Sequence, residues 1–281
     1  MAMILKGAPV VAAMNEANAA RCEALKAKGI TPTLAVVRVG EREDDLSYER
    51  GVMTRCGKVG VAVKQYLLPA DATQEQLLDV IREINANKSI HGCLLFRPLP
   101  KQFDDRTIRA ALAPEKDIDG ITDSSLAGVF TNTAIGYPPC TAQACLEILK
   151  YYNIPLSGKR AVVVGRSLVV GKPAAMMLDR ENATVTLCNS RTQNLPALCK
   201  EADIVVVAMG KMGFIGSDCL REGQVVVDVG IHVNEEGKLC GDVRFAKAEP
   251  VVDAITPVPG GVGTVTTSVL VSHVVDAAEK I

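Results

Sequence analysis

The sequence predicts an α/β protein of two domains, each built on parallel strands. Three observations carry this. Short β-branched runs alternate with longer amphipathic stretches along the chain, the pattern of strands joined by helical crossovers. Two of the runs read as strands buried inside a sheet: Thr33–Val39, and Arg160–Val164, whose apolar stretch is uninterrupted. The alternation comes in two series over 281 residues, and at about 150 residues per domain this length accommodates two.

In the first series Thr33–Val39 is a strand, Asp45–Val59 a helix and Val61–Leu68 a strand. Thr73–Asn87 is a helix, with Thr73 as N-cap and Gln76 three residues on, a capping-box signature. Gly92–Phe96 is a strand and Arg106–Leu112 a short helix. The second series opens with a helix over Thr141–Tyr152, then the strand Arg160–Val164. Lys172–Arg180 is a helix with Pro173 in its first turn, where the missing N–H costs nothing. Thr184–Leu187, Ile204–Ala208 and Val225–Val229 are strands, and Thr266–Ala278 is a closing helix. The two series part near Tyr137–Thr141, where Pro138-Pro139 stiffens the chain. There is no internal repeat.

Composition narrows the function classes. The apolar fraction of 48% and charged fraction of 22% are those of a globular chain. A net charge of −1 gives no excess of cations for phosphate backbones, which argues against nucleic-acid binding. No apolar run approaches a membrane span, and Met1–Gly7 lacks the features of a secretory signal. The nine cysteines are scattered with no CxxC, which suits a reduced, cytoplasmic protein. The three histidines, His91, His232 and His273, lie far apart, so no metal site is expected.

The most informative local feature is Val163-Val164-Gly165-Arg166-Ser167-Leu168-Val169-Val170-Gly171-Lys172-Pro173. A buried strand ends in Gly165, passes a polar turn and opens a helix near Gly171. Such a turn offers free N–H groups and the positive end of a helix dipole to an anion. It departs from GxGxxG, since Ser167 holds the middle glycine position and the last glycine is displaced. The strand–turn–helix context is nevertheless the one a dinucleotide needs. The next strand runs into Cys188-Asn189-Ser190-Arg191-Thr192, with no acid to hold ribose hydroxyls. Ser190, Arg191 and, across the turn, Arg166 suit a 2′-phosphate, so NADP is expected rather than NAD.

These segments resemble the methylenetetrahydrofolate dehydrogenase/methenyltetrahydrofolate cyclohydrolase family. The matching pieces are Pro114-Glu115-Lys116-Asp117-Ile118-Asp119-Gly120, Pro139-Cys140-Thr141, Val164-Gly165-Arg166-Ser167 with Gly171-Lys172-Pro173, Asp228-Val229-Gly230-Ile231, Gly241-Asp242-Val243, and Thr256-Pro257-Val258-Pro259-Gly260-Gly261-Val262-Gly263. They stand in the family's order and cover nearly the whole chain. The resemblance implies an N-terminal α/β folate domain, residues 1–140 with 265–281, and a Rossmann-like NADP domain, residues 141–264, with a cleft between them. It also implies a homodimer. By position, Tyr48 matches the tyrosine that stacks on the folate's aminobenzoyl ring, and Asp119 the carboxylate that holds the pterin. A carboxylate suits that task because it accepts two N–H bonds from an amino-pyrimidine edge. Pro259, Gly260 and Gly261 match substrate contacts, and Gly165, Arg166, Ser167, Ser190 and Ile231 cofactor contacts.

Two departures bear on chemistry. The family's cyclohydrolase step depends on a lysine one helical turn after the tyrosine, and that position is Val52. The glutamine that contacts the lysine is replaced by Phe96. Ala142, Ala144, Asn189 and Thr264 also differ from the residues usual in the family. Hydride transfer from the one-carbon bridge leaves a cation shared by two nitrogens and needs alignment rather than proton transfer. Hydrolysis of that cation needs proton transfers, for which a placed acid/base is worth about 10²–10⁴-fold. Valine supplies none, and Arg55, seven residues after Tyr48, stays protonated and is a poor base. The expected function is therefore NADP-dependent oxidation of methylenetetrahydrofolate with weak or absent hydrolysis. The alternatives are a fully bifunctional enzyme, another two-domain NADP oxidoreductase such as one acting on a shikimate-like acid, and a non-catalytic folate- or NADP-binding protein.

Overall fold

The computed structural model describes residues 1–280. In chain order its elements are β1 (Met3–Ile4), α1 (Gly7–Ala27), β2 (Thr33–Val39), α2 (Glu43–Val59), β3 (Ala62–Leu68), α3 (Gln74–Ala86), β4 (Gly92–Leu95), α4 (Asp105–Ala111), α5 (Asp123–Thr131) and α6 (Cys140–Tyr151). They continue with β5 (Arg160–Val164), α7 (Gly171–Arg180), β6 (Thr184–Cys188), α8 (Leu195–Glu201), β7 (Ile204–Val207), β8 (Val225–Asp228), β9 (His232–Val233), β10 (Leu239–Cys240), α9 (Phe245–Ala248), β11 (Ala254–Ile255) and α10 (Val262–Ala278). The chain divides into two compact units: one holds Ala13–Cys140 and the chain from Thr267 on, the other Met1–Ala12 and Thr141–Thr266.

In the first unit β2 is the central strand of a parallel sheet ordered β3-β2-β4. Its position explains its sequence: flanked on both edges, it buries Leu34–Val39 throughout. The capping box of α3 forms as expected, with Gln76 N–H donating to Thr73 Oγ1 and Thr73 N–H to Gln76 Oε1. Leu77, Ile81 and Ile84, spaced three and four apart, point into a core shared with Val37, Leu95 and Ile108. Helix α2 opens with Glu43, Asp44 and Asp45, which complement the positive end of its dipole, and ends at Gly60 in the left-handed region.

The second unit holds a parallel sheet ordered β6-β5-β7-β8-β11-β1. The strand order reverses between β5 and β7, where an open α/β sheet leaves a crevice at the carboxyl ends of its strands. Strands β7 and β8 are Ile/Val-rich and almost wholly buried. Helix α7 buries Gly171, Pro173, Ala174, Ala175 and Leu178, and its glycine and alanines let it lie close to the sheet. A two-stranded antiparallel hairpin, β9 with β10, follows β8.

The expected strands and helices all appear, with ends shifted by up to four residues. Helix α1, the short helices α5, α8 and α9, and strands β1, β9, β10 and β11 were not anticipated from the sequence. The expected grouping of residues 1–140 needs correction at its start. Residues 1–12 belong with the second unit: Met3 and Ile4 pair with Ala254 and Ile255 in β11, and Gly7 N–H donates to Gly260 O. A two-residue strand is too short to show a period. The second boundary lies at 266/267 rather than 264/265.

Candidate active site

In the second unit, β5 delivers the chain to Gly165 at the point where the sheet order reverses. Gly165 has φ 128, and a Cβ there would lie 2.1 Å from Ala208 O, just past β7. A Cβ on Gly171 would lie 2.0 Å from Gly165 O. The displaced glycine thus does the work of the fingerprint's last one, letting the helix start close to the strand end. Between them Ser167 holds the turn's shape: its Oγ accepts from Val170 N–H at 3.1 Å and its carbonyl from Lys172 N–H at 3.0 Å. Arg166 and Ser167 are exposed on this turn.

Strand β6 ends beside it in a second turn. Asn189 Oδ1 accepts from Arg191 N–H at 3.0 Å, and Thr192 Oγ1 from Asn189 N–H at 2.8 Å. This Asx-type geometry leaves Ser190 and Arg191 exposed. The residues expected to meet a 2′-phosphate therefore stand on turns that follow adjacent, hydrogen-bonded strands.

Farther along the sheet, the chain after β8 and the Pro257–Thr264 turn enclose a cavity of about 200 Å³. It brings Pro259, Gly260 and Gly261, the expected substrate contacts, together with Ile231, an expected cofactor contact that is 62% exposed. Two carboxylates from the Asp-Val-Gly and Gly-Asp-Val motifs, Asp228 and Asp242, hold these loops. Asp228 is buried and accepts N–H bonds from Gly230 at 3.0 Å, Asp242 at 3.0 Å and Val243 at 2.9 Å. Burial pushes its carboxyl up to about 6, against the opposing pull of those donors. Asp242, fully buried, accepts from Met209, Gly210 and Lys211 N–H at 2.7–3.0 Å and contacts His232 Nε2 at 2.8 Å. Met209 is next to Ala208, so this clamp sets the segment that abuts Gly165. The motifs Asp-Val-Gly and Gly-Asp-Val were the available signal.

In the first unit α2 presents Tyr48, whose residue surface is 38% exposed. Burial first, then the nearby Asp119 charge, hold its phenol well above the usual value. The helix is tied to β2 through the residue after Tyr48: Arg38 Nε donates to Glu49 Oε2 at 2.8 Å, both side chains being buried, and Gln65 Nε2 donates to Glu49 Oε1. Val52, one turn on, is fully buried. Phe96 is 7% exposed and meets the Tyr48 ring edge-on, with centroids 5.8 Å apart and planes at 67°. Arg55 is half-buried, and desolvation lowers its guanidinium, which nonetheless stays charged.

The stretch Lys116-Asp117-Ile118-Asp119 divides its labour. Lys116 Nζ donates to the carbonyls of Asn87 and Ile90. Asp117 accepts from Ile121 N–H, Thr122 N–H and Ser125 Oγ at 2.6–2.9 Å, and so fixes the loop. Asp119 is half-buried, and desolvation of its carboxyl pushes it up to about 6, against the opposing influence of the neighbouring Cys140. Cys140 is buried, its Sγ 3.3 Å from Ile118 O and 3.7 Å from His273 Nδ1, and burial drives its thiol far up. It is a packed thiol, not a nucleophile. The structure thus brings Tyr48, Phe96 and Asp119 into one neighbourhood, with Val52 buried on the same helix as Tyr48.

Comparison with known proteins agrees with this geometry. Residues 5–119 match the family model of the tetrahydrofolate dehydrogenase/cyclohydrolase catalytic domain, and residues 139–281 match that of its NAD(P)-binding domain. A protein of Carboxydothermus hydrogenoformans called bifunctional protein FolD is 54% identical over 281 residues, covering 99% of this chain and 98% of its own. The namesake from Alkaliphilus oremlandii is 50% identical, covering 99% and 97%. Among solved structures, the bifunctional FolD enzyme of Campylobacter jejuni superposes with a TM-score of 0.96 at 35% identity, covering 100% of this chain and 99% of its own. The Trypanosoma brucei enzyme, solved with NADP cofactor and an inhibitor, gives 0.92 at 31%, covering 99% and 98%. The chain belongs to the tetrahydrofolate dehydrogenase/cyclohydrolase family.

Proposed function

We propose that this chain oxidises 5,10-methylenetetrahydrofolate to 5,10-methenyltetrahydrofolate with NADP⁺, and that it hydrolyses the product weakly or not at all. The observation that carries the second half is Val52, fully buried at the lysine position, with Phe96 at the glutamine position packed on Tyr48. Tyr48 offers an open ring surface for the folate's aryl group, and Asp119 offers two acceptor oxygens for the pterin edge. Pro259, Gly260 and Gly261 line the cavity beside Ile231.

The turn from Gly165 to Gly171 suits a pyrophosphate, because two glycines with no room for a Cβ against neighbouring backbone let it pass tightly from the strand end into the start of α7. Arg166, Ser190 and Arg191 are free to take a 2′-phosphate. When bound, NADP⁺ supplies the hydride acceptor. The protein's own task is alignment, since the cation left on the folate is shared by two nitrogens and no proton moves. Ring opening by water is different: neither Val52 nor the permanently charged Arg55 takes up a proton. The same reading places the enzyme in the cytoplasm as a homodimer, supported by the family resemblance and the cysteine pattern. Among the described residues no helix is long and apolar enough to cross a membrane.

Initial rates with NADP⁺ and NAD⁺ test the first half. NADPH is expected to form from methylenetetrahydrofolate, with kcat/KM favouring NADP⁺. Arg191→Ala is expected to shrink that preference roughly 10- to 100-fold, the worth of a charge-assisted contact. Equal use of NAD⁺ by the unmodified enzyme contradicts the phosphate role. Tight NADP⁺ binding without hydride transfer marks a binding protein instead. A second reading, retained hydrolysis, is favoured by the name bifunctional carried by the 54% and 50% identical relatives.

A further inference from the structure

We propose that Phe96 is a positioning residue that holds the Tyr48 ring for stacking on the folate, so that its presence is a gained contact and not merely a lost glutamine. The inference rests on the folate reading of this site. Phe96 lies just past β4, and its N–H donates to Val37 O at 2.9 Å, which extends the β2–β4 ladder to this residue. The side chain is therefore carried by the sheet and is nearly buried. Its ring meets the Tyr48 ring at 5.8 Å and 67°, within the favoured edge-to-face range.

Tyr48 is held at two points. Its backbone is fixed by α2 beside the buried Glu49–Arg38 pair, and its ring by Phe96. Part of the residue's surface remains exposed, and that is what a flat ligand can use. A glutamine at position 96 would have no ammonium to meet, because Val52 brings no polar atom, and its buried amide would go unsatisfied. The two replacements are thus consistent with each other. Valine removes the polar partner, and phenylalanine fills the place with a ring that restrains Tyr48.

The test is steady-state kinetics on the full-length chain, varying methylenetetrahydrofolate and NADP⁺ separately. Phe96→Leu keeps an apolar side chain and removes the ring. It is expected to raise the folate KM two- to tenfold, the worth of one aromatic pair, with kcat and the NADP⁺ KM within twofold. In a Tyr48→Leu background, Phe96→Leu is expected to add less than twofold, because its effect passes through Tyr48. Phe96→Met is a second ringless variant should Phe96→Leu fold poorly, with thermal unfolding as the check. An unchanged folate KM in the ringless variants overturns the inference. So does an equal rise in both KM values, or a full effect in the Tyr48→Leu background. Absence of folate turnover in the unmodified chain overturns the functional reading and this inference with it, whereas turnover with unresponsive variants overturns the inference alone.

Discussion

Burial pushes the Asp119 carboxyl up to about 6, so its charge is lost in a range where most carboxylates are still ionised. The charged form accepts both N–H groups of a pterin edge, and the protonated form does not. Affinity for tetrahydrofolate is therefore expected to fall as pH drops through about 6, a trend that titration by equilibrium binding checks. The stability effect has the opposite sign. Relative to the unfolded chain the folded one prefers the neutral acid; this gain is complete below about pH 4 and lost as pH rises through 6. At pH 8 the ionised carboxylate costs the fold up to about 3 kcal/mol, so Asp119→Asn is expected to raise Tm while abolishing folate turnover. A lower Tm in Asp119→Asn contradicts this account. At position 52, Val52→Lys alone buries an ammonium with no partner and is expected to destabilise by about 3 kcal/mol without gaining hydrolysis. Val52→Lys with Phe96→Gln supplies the partner and is expected to raise the hydrolytic rate at least tenfold over the single variant. The proposed roles differ in what fixes their place in the sequence: Asp119 lies in a long motif, Tyr48 and Val52 lie between Val39-Gly40 and Cys56 with Val59-Gly60, and Phe96 is counted back from Pro98-Leu99-Pro100. Asp228 and Asp242 were not assigned roles, because a carboxylate spent on backbone N–H groups has no spacing of its own in the sequence.

Among the elements, legibility followed burial and capping. Strand β5 and helix α3 announce themselves, one by an unbroken apolar run, the other by Thr73, Gln76 and apolar residues at helical spacing. Helix α1 does not: Gly7–Ala27 is alanine-rich, with polar residues scattered around it, so no single face stands out. Strand β1 is held by pairing with β11, a partner some 250 residues away in sequence. Two elements carry the candidate site, and each has a weak point. The tie between α2 and β2 is the buried Arg38–Glu49 pair, and Glu49→Ala strands a guanidinium, expected to cost about 3–5 kcal/mol in urea unfolding. The join of β5 to α7 has no space at Gly171, so Gly171→Ala is expected to weaken NADP⁺ binding more than tenfold while leaving the first unit folded. Tight NADP⁺ binding by that variant contradicts the assignment of the turn.

At the scale of the whole molecule, the two-series pattern read from the sequence corresponds to two compact units, each with its own parallel sheet. The first twelve residues fall in the unit that the order of the chain does not suggest, because strand pairing and not sequence proximity decides membership. Family membership spans both halves of the chain. The two departures, Val52 and Phe96, sit in one small part of it, and on the proposed reading they spare the alignment of substrates and remove the means of moving protons. The most direct measurement is to follow NADPH and the methenyl chromophore together after adding methylenetetrahydrofolate and NADP⁺ to the enzyme. The account predicts that both rise in equal amounts, less the hydrolysis seen in enzyme-free buffer. NADPH rising while the methenyl species drains faster than in buffer would contradict it, and would show that hydrolysis proceeds without the lysine.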